Sequence, residues 1–99
     1  MAYQIIYTVR ASKDLEELKR DKSQKKILKA VCKAIRFLGE NPKHPSLQTH
    51  QYHSLHEIYP GQKVWEAYVQ DKTPAAYRLF WSYGPSKDQI TLLSITPHP

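Results

Sequence analysis

Apolar and polar positions along the chain fall into segments that read in turn as strand, helix, helix, loop and three strands. Residues 3–9, YQIIYTV, are β-branched or aromatic at nearly every position. They predict a strand with Tyr3, Ile5, Tyr7 and Val9 on one face. Ser12 then reads as a helix cap, with Asp14, Glu16 and Glu17 in the first turn, where the helix dipole favours acids. Leu15 and Leu18 give that helix a short apolar stripe, and a break is expected near Asp21–Lys22. A second helix is predicted from about Ser23. Ile27, Leu28, Val31, Ala34, Ile35 and Leu38 follow the 3.6-residue period, and Gly39 and Asn41–Pro42 end it. Two helices with so short a joint predict a hairpin.

Residues 40–62 carry no sustained period. This stretch holds three prolines and four of the five histidines, His44, His50, His53 and His56. Long structureless segments in small domains are often functional. Three further runs, KVWEAYVQD, AAYRLFWSYG and QITLLSIT, read as strands, separated by turns at Lys72–Ala75 and Gly84–Lys87. The expected architecture is a single α+β domain over residues 1–99. An N-terminal strand and an antiparallel three-stranded meander form a four-stranded sheet, with the helical hairpin on one face. The other face is left partly open for a site.

Charge changes this picture more than composition does. The chain of 99 residues carries a net charge of +6, and all of that excess lies in residues 1–43. Between Lys19 and Arg36, eight basic residues accompany the single acid Asp21. Lys25, Lys26, Lys29, Lys33 and Arg36 fall mostly off the apolar stripe. A solvated helix face accounts for such a run, and a phosphate backbone or an acidic protein partner accounts for it equally well. One cysteine, Cys32, permits no internal disulfide, which fits a reducing cytosol. Its place beside Val31 reads as a small buried hydrophobe. The N-terminus has no basic region followed by an apolar core, and no apolar run approaches the roughly 20 residues of a membrane span.

Familiar catalytic patterns are mostly missing. His50, His53 and His56 are three apart, but no helix period, HExxH pattern or cysteine pair supports a metal site. Three glycines, each beside a turn signal, write no phosphate-binding loop, and no GxSxG elbow is present. Arg78 is more informative. Alternation puts Tyr77, Leu79, Trp81 and Tyr83 on one face of its strand, and Arg78, Phe80 and Ser82 on the other. An arginine among large apolar residues is costly to bury unpaired. It either pairs with a carboxylate, such as Glu66 on the neighbouring strand, or faces a cleft and holds an anion such as phosphate. His98 follows the last strand directly, between Pro97 and Pro99, where it can project over the sheet edge towards the Arg78 face.

The segments VWEAYVQDKTPAAYRLFWSYG, ITLLSITPHP and HPSLQTHQYHSL, in this order of strand, two helices, loop and three strands, resemble the RelE/ParE superfamily of bacterial type II toxin–antitoxin toxins. The resemblance covers nearly the whole chain. It implies a cytoplasmic toxin, held inactive by a cognate antitoxin, that cleaves mRNA in the ribosomal A site without a metal or other cofactor. It further implies that Arg78 stabilises the scissile phosphate and that His98 is the general acid. His44, with His50 and His53 as substitutes, supports the base role. Tyr68 stands where some relatives carry a histidine, within an RNA-contacting surface that also includes the lysines of the second helix. The ParE branch of the superfamily poisons DNA gyrase instead. A non-enzymatic protein of the same fold, whether gyrase inhibitor or degenerate toxin, is therefore the rival expectation. A plain basic RNA-binding domain explains the charge but not the terminal histidine.

Overall fold

The computed structural model describes residues 2–53, 61–69 and 76–97. Strand β1 (Gln4–Tyr7) leads into helix α1 (Val9–Arg20). A 3₁₀ turn at Lys22–Gln24 joins α1 to helix α2 (Lys25–Glu40). A second 3₁₀ turn at Pro45–Leu47 precedes strand β2 (His50–Tyr52). Strands β3 (Val64–Tyr68), β4 (Tyr77–Tyr83) and β5 (Gln89–Pro97) complete the chain. The sheet has five strands in the order β1-β5-β4-β3-β2, with β1 parallel to β5 and the other pairs antiparallel. The α+β class, the meander and the helical layer are as the sequence predicts. The strand count is not, because β2 forms inside the stretch that shows no period. Three residues are too few for alternation to register.

The first strand is shorter than its β-branched run. Thr8 leaves the strand, and its hydroxyl accepts from the backbone N–H of Ala11, so Thr8 and not Ser12 caps α1. Ser12 donates its N–H to the Thr8 carbonyl, already inside the first turn, which places the helical acids beyond that turn. Val9 becomes an exposed helical residue and shares no strand face with Tyr3, Ile5 and Tyr7. Asp21 ends α1 and accepts from the N–H and hydroxyl of Ser23, which turns the chain into α2. Gly39 lies within the last turn of α2, where its carbonyl accepts from the Tyr3 N–H at 2.6 Å. A Cβ there would meet the Tyr3 carbonyl at 3.4 Å, an ordinary van der Waals contact, so the bond and not the absence of a side chain joins the helix to the start of β1.

The core lies between the helices and one sheet face. Ala11, Leu18, Val31, Ala34 and Leu38 meet Ala67, Leu79, Trp81, Ile90, Leu92 and Ile95, and Leu47 closes the end. Cys32 follows Val31 by about 100° of helix rotation and is exposed, against the expectation that it is buried. The register between β4 and β5 shifts between Phe80 and Trp81, which pair with Ser94 and Leu92. This bulge leaves Leu93 unpaired and lets Leu92 and Ile95, three residues apart, serve the same face. Leu92 joins the helix-side core, and Leu93 joins Val64, Phe80 and Tyr52 on the other. The second face is therefore not bare, as the simple layer picture implies, but carries a small apolar cluster of its own. The expected turn at Lys72–Ala75 lies outside the described residues.

Candidate active site

The second face of strands β2, β3 and β4 brings together four polar or aromatic side chains. Antiparallel pairing puts His50 directly opposite Glu66, and Tyr68 directly opposite Arg78. Both pairs lie on one face because strand side chains alternate. His50 Nε2 lies 2.6 Å from Glu66 Oε1, and Arg78 Nε lies 3.7 Å from Glu66 Oε2. One carboxylate thus faces a histidine with one oxygen and an arginine with the other. The Arg78 guanidinium stacks over the Tyr68 ring, 3.8 Å from its centroid, and Nη1 donates to the carbonyls of Ala76 and Tyr77. The His50 ring meets Tyr68 edge-on.

Burial divides the cluster. Glu66 and Arg78 are 2% and 7% exposed, whereas 46% of the His50 side chain is open to solvent. A buried carboxylate requires compensating partners, and here it faces a guanidinium and an imidazole. The cluster therefore combines a fixed planar cation with a solvent-accessible group able to transfer protons. That combination suits the binding and cleavage of a phosphodiester. The aromatic face of Tyr68 completes the wall beside Arg78.

Of the candidate residues, the structure joins Arg78, His50 and Tyr68. His44 is elsewhere: its ring stacks on Phe37, with centroids 4.1 Å apart, and its Nδ1 accepts from the Ser46 N–H. It caps the 3₁₀ turn that carries Leu47 into the core. His53 is exposed just beyond β2, one residue out of the alternation that places His50 and Tyr52 together. His98 lies outside the described residues; β5 ends with Pro97 opposite Tyr77. Lys25, Lys26, Lys29, Lys33 and Arg36 are all exposed on α2, and Lys33 and Arg36 flank the Phe37 ring. Glu66 is readable from sequence as a partner for Arg78. Its pairing with His50 is not, because that depends on β2. Among the described residues, no group of three or more His, Cys, Asp or Glu is placed to hold a metal ion. No helix among them is long and apolar enough to cross a membrane.

The sequence matches no known protein family and no curated protein. Solved structures do match it along its whole length. The YoeB/ParE toxin from Agrobacterium tumefaciens superposes with a TM-score of 0.69 at 14% identity, over 97% of this chain and 99% of that one. The YoeB dimer from Staphylococcus aureus gives 0.67 at 14% identity, over 100% of both chains. The archaeal RelE–RelB complex from Pyrococcus horikoshii gives 0.64 at 17% identity, over 98% and 96%. Near-complete coverage in both directions means that helices and sheet correspond as a whole, and the chain has the fold of these YoeB and RelE toxins.

Proposed function

We propose that this protein is the toxin of a toxin–antitoxin pair and cleaves mRNA on the ribosome. The observation that carries the reading is the juxtaposition of Arg78 with His50 on the second sheet face, within a fold shared with RelE and YoeB toxins. In this reading the Arg78 guanidinium meets the scissile phosphate and stabilises the charge that grows on its non-bridging oxygens. The 2′-oxygen attacks phosphorus as the bond to the 5′-oxygen breaks. The products are a 2′,3′-cyclic phosphate and a free 5′-hydroxyl. One group removes the 2′-OH proton and another protonates the leaving oxygen, roles for which His50 and His98 are the candidates. The exposed lysines of α2 hold ribosomal RNA by its phosphates. An acidic antitoxin in the same cytoplasm neutralises that basic surface; the RelE–RelB structure provides a precedent for a protein partner on this fold.

A second reading has its own observation. Arg78 is buried, faces Glu66 and donates to two backbone carbonyls, the bonding of an arginine that serves the sheet. A non-enzymatic toxin, including a gyrase inhibitor, needs nothing more from it. Induction in bacterial cells, with new mRNA 5′ ends mapped against ribosome position, separates the two. Cuts within A-site codons that vanish in His50→Ala and His98→Ala support the nuclease. Growth arrest without cuts, together with inhibited supercoiling by purified gyrase, supports the alternative.

A further inference from the structure

His50 and Glu66 share a hydrogen-bonding arrangement that bears on the proton content of the pair. Nδ1 lies 2.9 Å from the carbonyl oxygen of Gln48, and Nε2 lies 2.6 Å from Glu66 Oε1. A carbonyl oxygen only accepts, so Nδ1 carries a hydrogen. A carboxylate also only accepts. A neutral imidazole has one N–H and satisfies one of these two partners, not both. The arrangement therefore closes in two ways. Either His50 is an imidazolium with both nitrogens donating, or Glu66 is a carboxylic acid donating to Nε2. In both, the pair holds one proton more than a neutral histidine beside a carboxylate. The local backbone maintains this geometry. Gln48 adopts a left-handed conformation, φ 46 and ψ 44, at the end of the 3₁₀ turn. Thr49 anchors the bend through its hydroxyl to the Pro42 carbonyl.

We propose that His50 and Glu66 form one proton-holding unit and that His50 is the proton donor to the leaving 5′-oxygen, with Glu66 as its positioning residue. The donor role rests on the RNA-cleaving reading above. Among the described residues, the charged and titratable groups facing His50 are Glu66 and Tyr68 from β3, with Arg78 from β4 behind the carboxylate. Gln48 offers only a neutral carbonyl, the weaker of the two acceptors. When substrate enters from the open side of the ring, the 5′-oxygen replaces that carbonyl at Nδ1. The Nδ1 proton passes to the 5′-oxygen as the phosphorus–oxygen bond breaks. Neutral His50 keeps its Nε2 hydrogen on Glu66. Removal of the 2′-OH proton then falls to a different group. The donor role is the reverse of the base role that the family resemblance implies for the loop histidines.

Two measurements on the full chain test this separately. The first is NMR of ¹⁵N,¹³C-labelled protein at pH 7 and needs no activity. We expect either imidazolium signals from both His50 ring nitrogens or a protonated side-chain carboxyl at Glu66. In Glu66→Gln we expect a neutral His50 with its hydrogen on Nδ1. An ionised Glu66 beside a neutral His50 in the unaltered protein overturns the proton-holding pair. The second is single-turnover cleavage of ribosome-bound mRNA that carries either oxygen or sulfur at the 5′-bridging position. A thiolate leaves without protonation. His50→Ala and Glu66→Gln should therefore lose ~10²–10⁴-fold on the oxygen substrate and stay near the unaltered rate on the sulfur one. Equal losses on both overturn the donor role. No cleavage of either substrate by the unaltered protein overturns the nuclease reading and the donor role with it, while the NMR result still decides the proton count.

Discussion

Arg78 is held by shape as much as by charge. Its guanidinium lies flat over Tyr68 and forks between the Ala76 and Tyr77 carbonyls. Lysine keeps the charge but has neither the plane nor the fork. Arg78→Lys should therefore lower single-turnover mRNA cleavage by ~10²–10³-fold. Its thermal unfolding should stay within a few degrees of the parent. Three tyrosines set the alkaline behaviour. Burial raises the phenol of Tyr7, Tyr77 and Tyr83 above its ordinary range, and at Tyr77 the nearby carboxylates of Asp14, Glu17 and Asp21 raise it further. The folded state thus prefers the neutral phenols. The stability tied to them is fully present below pH ~10 and is lost as pH rises through the raised folded values. Urea midpoints measured from pH 9 to 11.5 should fall, and Tyr77→Phe should flatten that fall.

At the scale of elements, Thr8 ties the helical layer to the sheet. Its hydroxyl accepts from Ala11 to start α1 and donates to the carbonyl of Leu93 at the β5 bulge. Its N–H donates to the Leu92 carbonyl. One side chain thus serves a helix terminus and an irregular strand. Thr8→Ala removes the cap and the donor to Leu93 together and should cost about 2 kcal/mol. Thr8→Ser, which keeps the hydroxyl, should recover most of it, as read from urea denaturation. Asp14 repeats the connection further along α1. Its carboxylate accepts from the Ile95 N–H and lies against Arg10. The two contacts lock α1 across β5 on both sides of the bulge, which fixes the part of β5 that pairs with Arg78.

At the scale of the molecule, the site and the charge occupy different surfaces. The His50–Glu66–Arg78 cluster lies on the sheet face away from the helices, and the lysines of α2 stand on the helical layer. Their roles should therefore separate in experiment. Reversing Lys25 and Lys29 to glutamate should weaken ribosome binding and reduce the slope of log affinity against log salt by about one per lysine that contacts a phosphate. His50→Ala should leave that slope unchanged. Filter binding from 50 to 200 mM salt measures both. An unchanged slope in the lysine variant would identify the α2 face as merely solvated.

Much of this molecule is legible in the linear sequence because the signals are local. The period of α2, the stops at Asp21 and Asn41, the alternation that turns Arg78 away from Leu79 and Trp81, and the concentration of lysines each need only a few neighbouring residues. The segments around Arg78 and at the end of the chain, in that order of elements, also carried the resemblance to the toxin fold. What tertiary structure decided depends on residues far apart in the chain. Strand β2 exists because three residues find the edge of β3, not because they have a period of their own. Thr8 is the cap in place of Ser12, and its hydroxyl also donates to the carbonyl of Leu93, 85 residues later. Among the closely spaced histidines that are described, pairing opposite Glu66 selects His50, while stacking on Phe37 assigns His44 to the helical layer. Sequence determines which residues are able to do proton chemistry; the sheet register determines which of them faces the carboxylate and the arginine.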